Sequence, residues 1–357
     1  VPSTKSDWKD ALFGYVNMIN EAALLFDERK LKEIPDEEHR RRMTRRIHNT
    51  AQRDPKIPLK PIRSEMRARI ERHKLKGAEA VADVSIHLVR SYEQRSQPWL
   101  EERVERERLR FVRIGKSWRL DSVQPLDPER ASEVAVPLEE EVTSDDYGRI
   151  SVMPSIPYMN PKALYNAKSR VYPGSATGSH YGYGRLSRGI PYRRESAVAY
   201  AERWWNEGNP NYETFDVNCT NYVSQCLFAG GAAMNYTGRR ESGWWYKGRS
   251  KDQELWSYSW AVANALQHYL AAPRAAGFRA EAVDSPEQLH LGDLICYDFD
   301  GNGRFQHNTI VTAFTPDGMP LVNANTVSSR HRYWDYRDSY AWTEQTRYRF
   351  FHIADEF

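Results

Sequence analysis

Residues 215–231 read "FDVNCTNYVSQCLFAGG", a cysteine set between two asparagines where a helical pattern begins. Asn218 is a favoured N-cap, which puts Cys219 at the first helical position. Tyr222, Val223, Cys226 and Leu227 then form one inward stripe, and the Gly230-Gly231 pair ends the helix. A thiol at that position sits in the positive end of the helix dipole beside unpaired backbone N–H groups, which favours the thiolate. The same N–H groups can hold an oxyanion. Position therefore nominates Cys219 as a nucleophile and leaves Cys226, two turns on, to packing. The competing reading of Cys219 is a small buried hydrophobe.

A nucleophilic cysteine needs a base. His268 lies in a helical pattern and His290 on a turn, whereas His307 opens a strand about 88 residues after Cys219. Around it, "LGDLICYDFDGNGRFQHNTIVTAFTPDGMPLVNANT" (291–326) contains three strand candidates, 293–299, 305–314 and 321–326, the first two joined by the turn-rich Asp-Gly-Asn-Gly. The Thr-Pro-Asp-Gly that follows suits a type I turn with Gly318 left-handed, a three-residue hairpin with a bulge. That turn pairs Thr315 with Met319, and continuing the register sets Val311 opposite Asn323 and Thr309 opposite Asn325. Both asparagines then share the sheet face of His307, where an amide could accept the imidazole N–H and fix its tautomer. A plain two-residue loop would slip the register by one and bring Ala324 there instead.

The chain has 357 residues, enough for two domains, and 40% hydrophobic residues with 11 Trp and 21 Tyr supply packed cores and exclude global disorder. A net charge of +3 implies neither a nucleic-acid partner nor an acidic substrate. The residues from Arg40 to Lys76 are nonetheless strongly basic and read as a helical stretch broken at Pro55, Pro58 and Pro61, either a solvated face or a site for an anionic polymer. No interleaved aromatics accompany it, so nucleic acid is disfavoured as a partner. Cys219, Cys226 and Cys296 contain no CxxC pair, so their spacing suggests neither a disulfide framework nor a zinc site. No apolar run is long enough to span a membrane. The first residues carry charge throughout and show no signal peptide, and a start at Val1 permits a processed secreted protein or a trimmed chain, with secretion or envelope association slightly favoured over the cytoplasm.

Three regions emerge. Residues 1–124 begin with an amphipathic helix at 7–28 and end in antiparallel strands, "RLRFVRIGKSWRLDSVQP" turning at Gly115-Lys116, an α+β unit that loosely resembles the cystatin-like or NTF2-like group in element order. Residues 125–189, rich in Pro, Gly, Ser and acids, read as a protease-sensitive linker or wrapping segment. Residues 190–357 hold all three cysteines and most of the tryptophans. Among those aromatics, Trp244, Trp245, Trp256, Tyr258 and Trp260 either pack a core or wall a cleft for a sugar ring or peptide.

"DVNCTNYVSQCL", "LGDLICY", "RFQHNTIV" and "LVNANT", taken in order, resemble the putative amidase domain family of Gram-positive spore-forming bacteria and, more distantly, the NlpC-type and CHAP cell-wall hydrolases. The resemblance covers roughly 193–353. It implies a papain-like α+β fold in which Cys219 is the nucleophile, His307 the base, Asn323 the orienting third residue and Asn325 its neighbour or substitute. By the same resemblance the substrate is a peptide amide, with peptidoglycan stem or bridge peptides favoured. Such chemistry requires no metal or organic cofactor. A catalytically idle binding module for wall polymer and a transglutaminase-like acyl transferase are the alternatives.

Overall fold

A computed structural model of the chain describes residues 7–53, 59–127, 190–250, 253–273 and 277–357. The expected first helix is α1, Trp8–Leu25, ended by a left-handed Phe26 (φ 51°). A 3-10 turn, Glu28–Glu33, leads to α2, Glu37–Ala51, which Asp36 caps by accepting the His39 N–H at 3.0 Å.

Four long strands follow: β1 Pro61–Lys76, β2 Glu79–Gln94, β3 Gln97–Ile114 and β4 Ser117–Pro125. The turn at Gly115 is the expected one, with φ at 64°. Residues 40–51 of the basic segment are helical as expected, in α2, but the first strand corrects that reading from Pro61 on. Residues 61–76 are rich in helix-forming Arg, Lys and Glu, but pairing along the whole of β2 overrides that preference. Pro61 opens the strand at the sheet's edge, where a missing N–H costs little, and the exposed charges guard that edge against further pairing.

The C-terminal half supplies α3 Arg194–Trp204, α4 Cys219–Ala229, a small hairpin of β5 Tyr246–Ser250 and β6 Gln253–Trp256, then α5 Tyr258–Ala261 and α6 Ala263–Ala271. The strands β7 Ala280–Val283, β8 Leu294–Asp298, β9 His307–Phe314, β10 Pro320–Ala324, β11 Ser328–Tyr333 and β12 Arg347–Ile353 complete it. The architecture is α+β with an antiparallel sheet.

Both halves contribute to one ten-stranded sheet, ordered β1-β2-β3-β11-β10-β9-β8-β12-β7 with β4 also on β3. The long β3 makes this possible, because Glu107–Ile114 pair with β4 while residues 102–104 pair with Ser328, Ser329 and Arg330 of β11. Helices α1 and α2 pack around Leu12, Ile19, Met43, Leu109 and Phe111, and a second core gathers Tyr222, Cys226, Trp244, Trp260, Ile310 and Phe351. Most of the expected linker, 128–189, lies outside the described residues.

The inward face of β3 turns from apolar to charged at Glu107, which is buried and accepts the Tyr15 hydroxyl at 3.0 Å. Burial, and then the charge of Glu105, raises its carboxyl from 4.5 to about 7. The folded chain thus holds this proton more tightly than the unfolded one, so the group's contribution is full below the ordinary carboxylate range and drains away as pH rises to about 7. Glu107→Gln is expected to stabilise the protein at about pH 8 by roughly 1–3 kcal/mol and to gain little near pH 4. Urea melts at both pH values test this, and an equal difference at the two would contradict it.

Candidate active site

Helix α4 starts where expected, with the Tyr222 N–H donating to the Asn218 carbonyl at 2.9 Å. The Asn218 side chain does not cap it. Its Oδ1 accepts from the Phe215 N–H and Asn221 Nδ2, and its Nδ2 donates to Asn325 Oδ1 at 2.8 Å. The open donors of the first turn are met from across the fold instead, since the backbone N–H groups of Asn218 and Cys219 both reach Thr326 Oγ1 at 3.1 Å.

His307 is the first residue of β9, opposite Tyr297 of β8. Its ring lies among those of Tyr336, Tyr297 and Phe299, with centroids 5.0, 5.5 and 6.2 Å away. Asn308 points to the other face and donates to Thr220 Oγ1 at 3.0 Å, tying β9 to the cysteine helix.

The three cysteines separate electrostatically. Burial pushes the Cys219 thiol up, but the adjacent His307 imidazole, the Asn308 backbone N–H and the Thr220 hydroxyl outweigh it and bring it down to about 7. Burial holds Cys226 and Cys296 well above the ordinary thiol range. Neither ring nitrogen of His307 closes a hydrogen bond of ordinary geometry among the described residues. Acid–base pairs often stay open in this way until a substrate arrives. Cys219 and His307 are each 1% exposed, so any ligand would reach the sulfur only after the residues that wall it off have moved.

The hairpin turn forms as expected, with Thr315 N–H on the Met319 carbonyl at 2.8 Å and Gly318 at φ 85°. The register beyond it does not follow. A bulge at Thr312 sets Leu321 opposite Ala313 but Val322 opposite Val311, so Asn323 faces Ile310 and turns to the sheet face away from His307. There its Oδ1 accepts from Thr312 Oγ1 and the His331 N–H, both at 2.8 Å, and its Nδ2 donates to Glu202. Asn325 bonds Asn218 and the carbonyls of Trp204 and Trp205. Both amides are spent on supports of α3 and α4, and the imidazole is positioned by aromatic packing.

The tryptophans lie in the core. Trp244, Trp245, Trp256 and Trp260 are at most 5% exposed, Trp244 donates to Ser224 Oγ and Trp260 to Asn221 Oδ1, whereas Tyr258 is 40% exposed beside Arg240. Trp244, Trp256 and Trp260 share a core with α4, and Trp245 packs against Tyr236 and bonds the Ser242 carbonyl, so the four tryptophans form no open wall.

Residues 191–351 match the family model described as "Putative amidase domain". The C-terminal half is thus similar to this putative amidase family. The curated relative "Uncharacterized protein YhbB" of Bacillus subtilis (strain 168) is 54% identical over 171 residues, 48% of this chain and 53% of its own length. "Uncharacterized protein YjcM" of the same organism is 30% identical over 131 residues, 34% of this chain and 28% of its own. The chain thus spans about half the length of the first and less than a third of the second. No solved structure matches it. No helix among the described residues is long and apolar enough to cross a membrane.

Sequence reasoning missed Thr220, Asn308 and Thr326 as partners of the site. A signal existed for Asn308: an amide within the otherwise apolar and small run of a buried strand must find a partner.

Proposed function

We propose that the amidase half is a cysteine-dependent amide hydrolase with a papain-like arrangement of helix and sheet. The observation that carries this reading is the selective lowering of Cys219, alone of three buried thiols, at a helix start beside His307. The Cys219 thiolate attacks the amide carbon and the C–N bond breaks as His307 protonates the departing amine. Water then attacks the thioester with His307 as general base, releasing the acid and restoring the thiol. In the resting site the Cys219 N–H is satisfied by the neutral Thr326 hydroxyl, and the developing oxyanion would take that donor when the wall opens.

Peptidoglycan-type peptides are the proposed substrate class. An anionic wall polymer is the proposed partner of the basic segment: a groove of about 940 Å3 runs beside α2, where Arg29, Lys32, Arg40, Arg41, Arg45 and His48 outnumber Glu28, Asp300 and Glu344. The NTF2-like or cystatin-like unit at residues 1–124 would present the basic wall of that groove, and Asp300 and residues 342–345 the other.

Limiting iodoacetamide at about pH 5 to 9, with peptide mapping, tests the thiol. Cys219 is expected to label selectively with a midpoint near 7, and a His307→Ala variant to shift that midpoint up by one unit or more. Equal reaction of all three cysteines, and only above about pH 8, would sink the hydrolase reading.

A further inference from the structure

At the far end of the sheet, His290, Asp293 and His352 bring three ligand atoms together. His290 Nδ1 lies 3.3 Å from His352 Nδ1, which lies 2.8 Å from Asp293 Oδ2, and the remaining His290 to Asp293 separation is 3.8 Å. Both imidazoles present the same nitrogen to one point. Three potential ligand atoms therefore converge on one point. A tetrahedral zinc ion with bonds of about 2.0–2.1 Å has ligand-to-ligand edges of about 3.3–3.4 Å, the middle of the range spanned by these three distances.

The supports are those of a built site. Asp293 is fully buried, and its other oxygen is held by Arg194 Nη1 at 2.7 Å and the Ile353 N–H at 2.9 Å, which fixes the orientation of the ligating one. The His290 N–H, at 2.7 Å from Oδ2, fixes the turn that carries the first imidazole. Asp355, bonded to Arg194 and close to both histidines, brings the local carboxylates to two against one guanidinium. His290 is 66% exposed, leaving an entry path and room for a water in the fourth position.

We propose that His290, His352 and Asp293 bind a divalent transition-metal cation of the zinc class. The ion would take the Nδ1 lone pair of each neutral imidazole, with the ring proton on Nε2, and clamp the end of β12 to the turn that enters β8. This site rests on no part of the hydrolase reading.

The test titrates the chelator-treated full chain with zinc chloride by calorimetry, alongside melting curves. One equivalent is expected, with a zinc-dependent rise in melting temperature, and affinity should fall at least roughly tenfold in His290→Ala and in His352→Ala. Magnesium should not compete, since this donor set suits borderline rather than hard cations. A Cys219→Ala variant should bind zinc undiminished, separating this site from the thiol. Should His352→Ala fail to fold, His290→Ala decides, because its side chain stands largely in solvent. No zinc binding by the intact chain, undiminished binding in His290→Ala, or loss in Cys219→Ala alone would each overturn the proposal.

Discussion

Cys219→Ala is expected to lower amide cleavage by about 10³-fold or more while changing stability by only about 1 kcal/mol. The side chain is small and its neighbours are anchored independently: Asn218 to Asn325, Thr220 to Asn308, and the helix start to Thr326. Removing the sulfur leaves that frame in place and takes away the proposed nucleophile. His307→Ala should cost a comparable factor, because without the imidazole the thiol returns toward its ordinary range and the leaving amine has no acid. The double variant should be scarcely worse than either single one, as befits two groups that act as a unit. The measurement is the rate of amine release from peptidoglycan-derived peptides, with near-identical melting curves showing that the Cys219→Ala protein is folded. Undiminished release by Cys219→Ala would exclude a thioester route, whatever the folded state of the other variants.

What could be read in advance follows a physical division. The start of α4 was legible because local chemistry fixes it, and the hairpin turn was legible because Thr-Pro-Asp-Gly admits few backbone conformations. The bulge at Thr312 was not, since an extra residue inside a strand leaves no composition signal, yet it decides which face Asn323 occupies. The strand at 61–76 was hidden for a related reason: its charged residues favour a helix locally, and only pairing with a strand that they do not themselves encode makes them extended. The tryptophan-rich stretch was ambiguous in principle, because a cleft wall and a core draw on the same side chains. Here Ser224 and Asn221 of α4 decide in favour of the core by satisfying two indole N–H groups.

The charged run of β3 leads to the largest expected stability effect. Arg103 is wholly buried between Glu101, at 2.8 Å, Glu105, at 3.4 Å, and Asp338, at 2.6 Å. Asp338 also meets Arg332 at 3.1 Å, and Arg53 pairs with Asp335 at 2.8 Å, so an ionic lattice joins the two halves beside the apolar cluster of Leu59, Tyr92, Trp99, Leu321 and Tyr333. Burial alone would raise the Asp338 carboxyl, and Arg103, Arg332 and Arg53 hold it well below its usual range. A methionine in place of Arg103 would fill much of the volume but strand three carboxylates with too few cations. Arg103→Met is therefore expected to cost about 3–5 kcal/mol. The damage should not stay local, because the neighbouring residues of β3 pair with β11, and Thr326, which satisfies the Cys219 N–H, lies two residues before that strand. If the N-terminal half holds the active site in shape through this strand, the selective labelling of Cys219 near pH 7 should weaken in Arg103→Met at temperatures where the protein is still folded. Denaturant melts and the labelling profile measure the two effects separately. A stability loss with labelling unchanged would leave the lattice as a fastening between the halves with no bearing on the thiol.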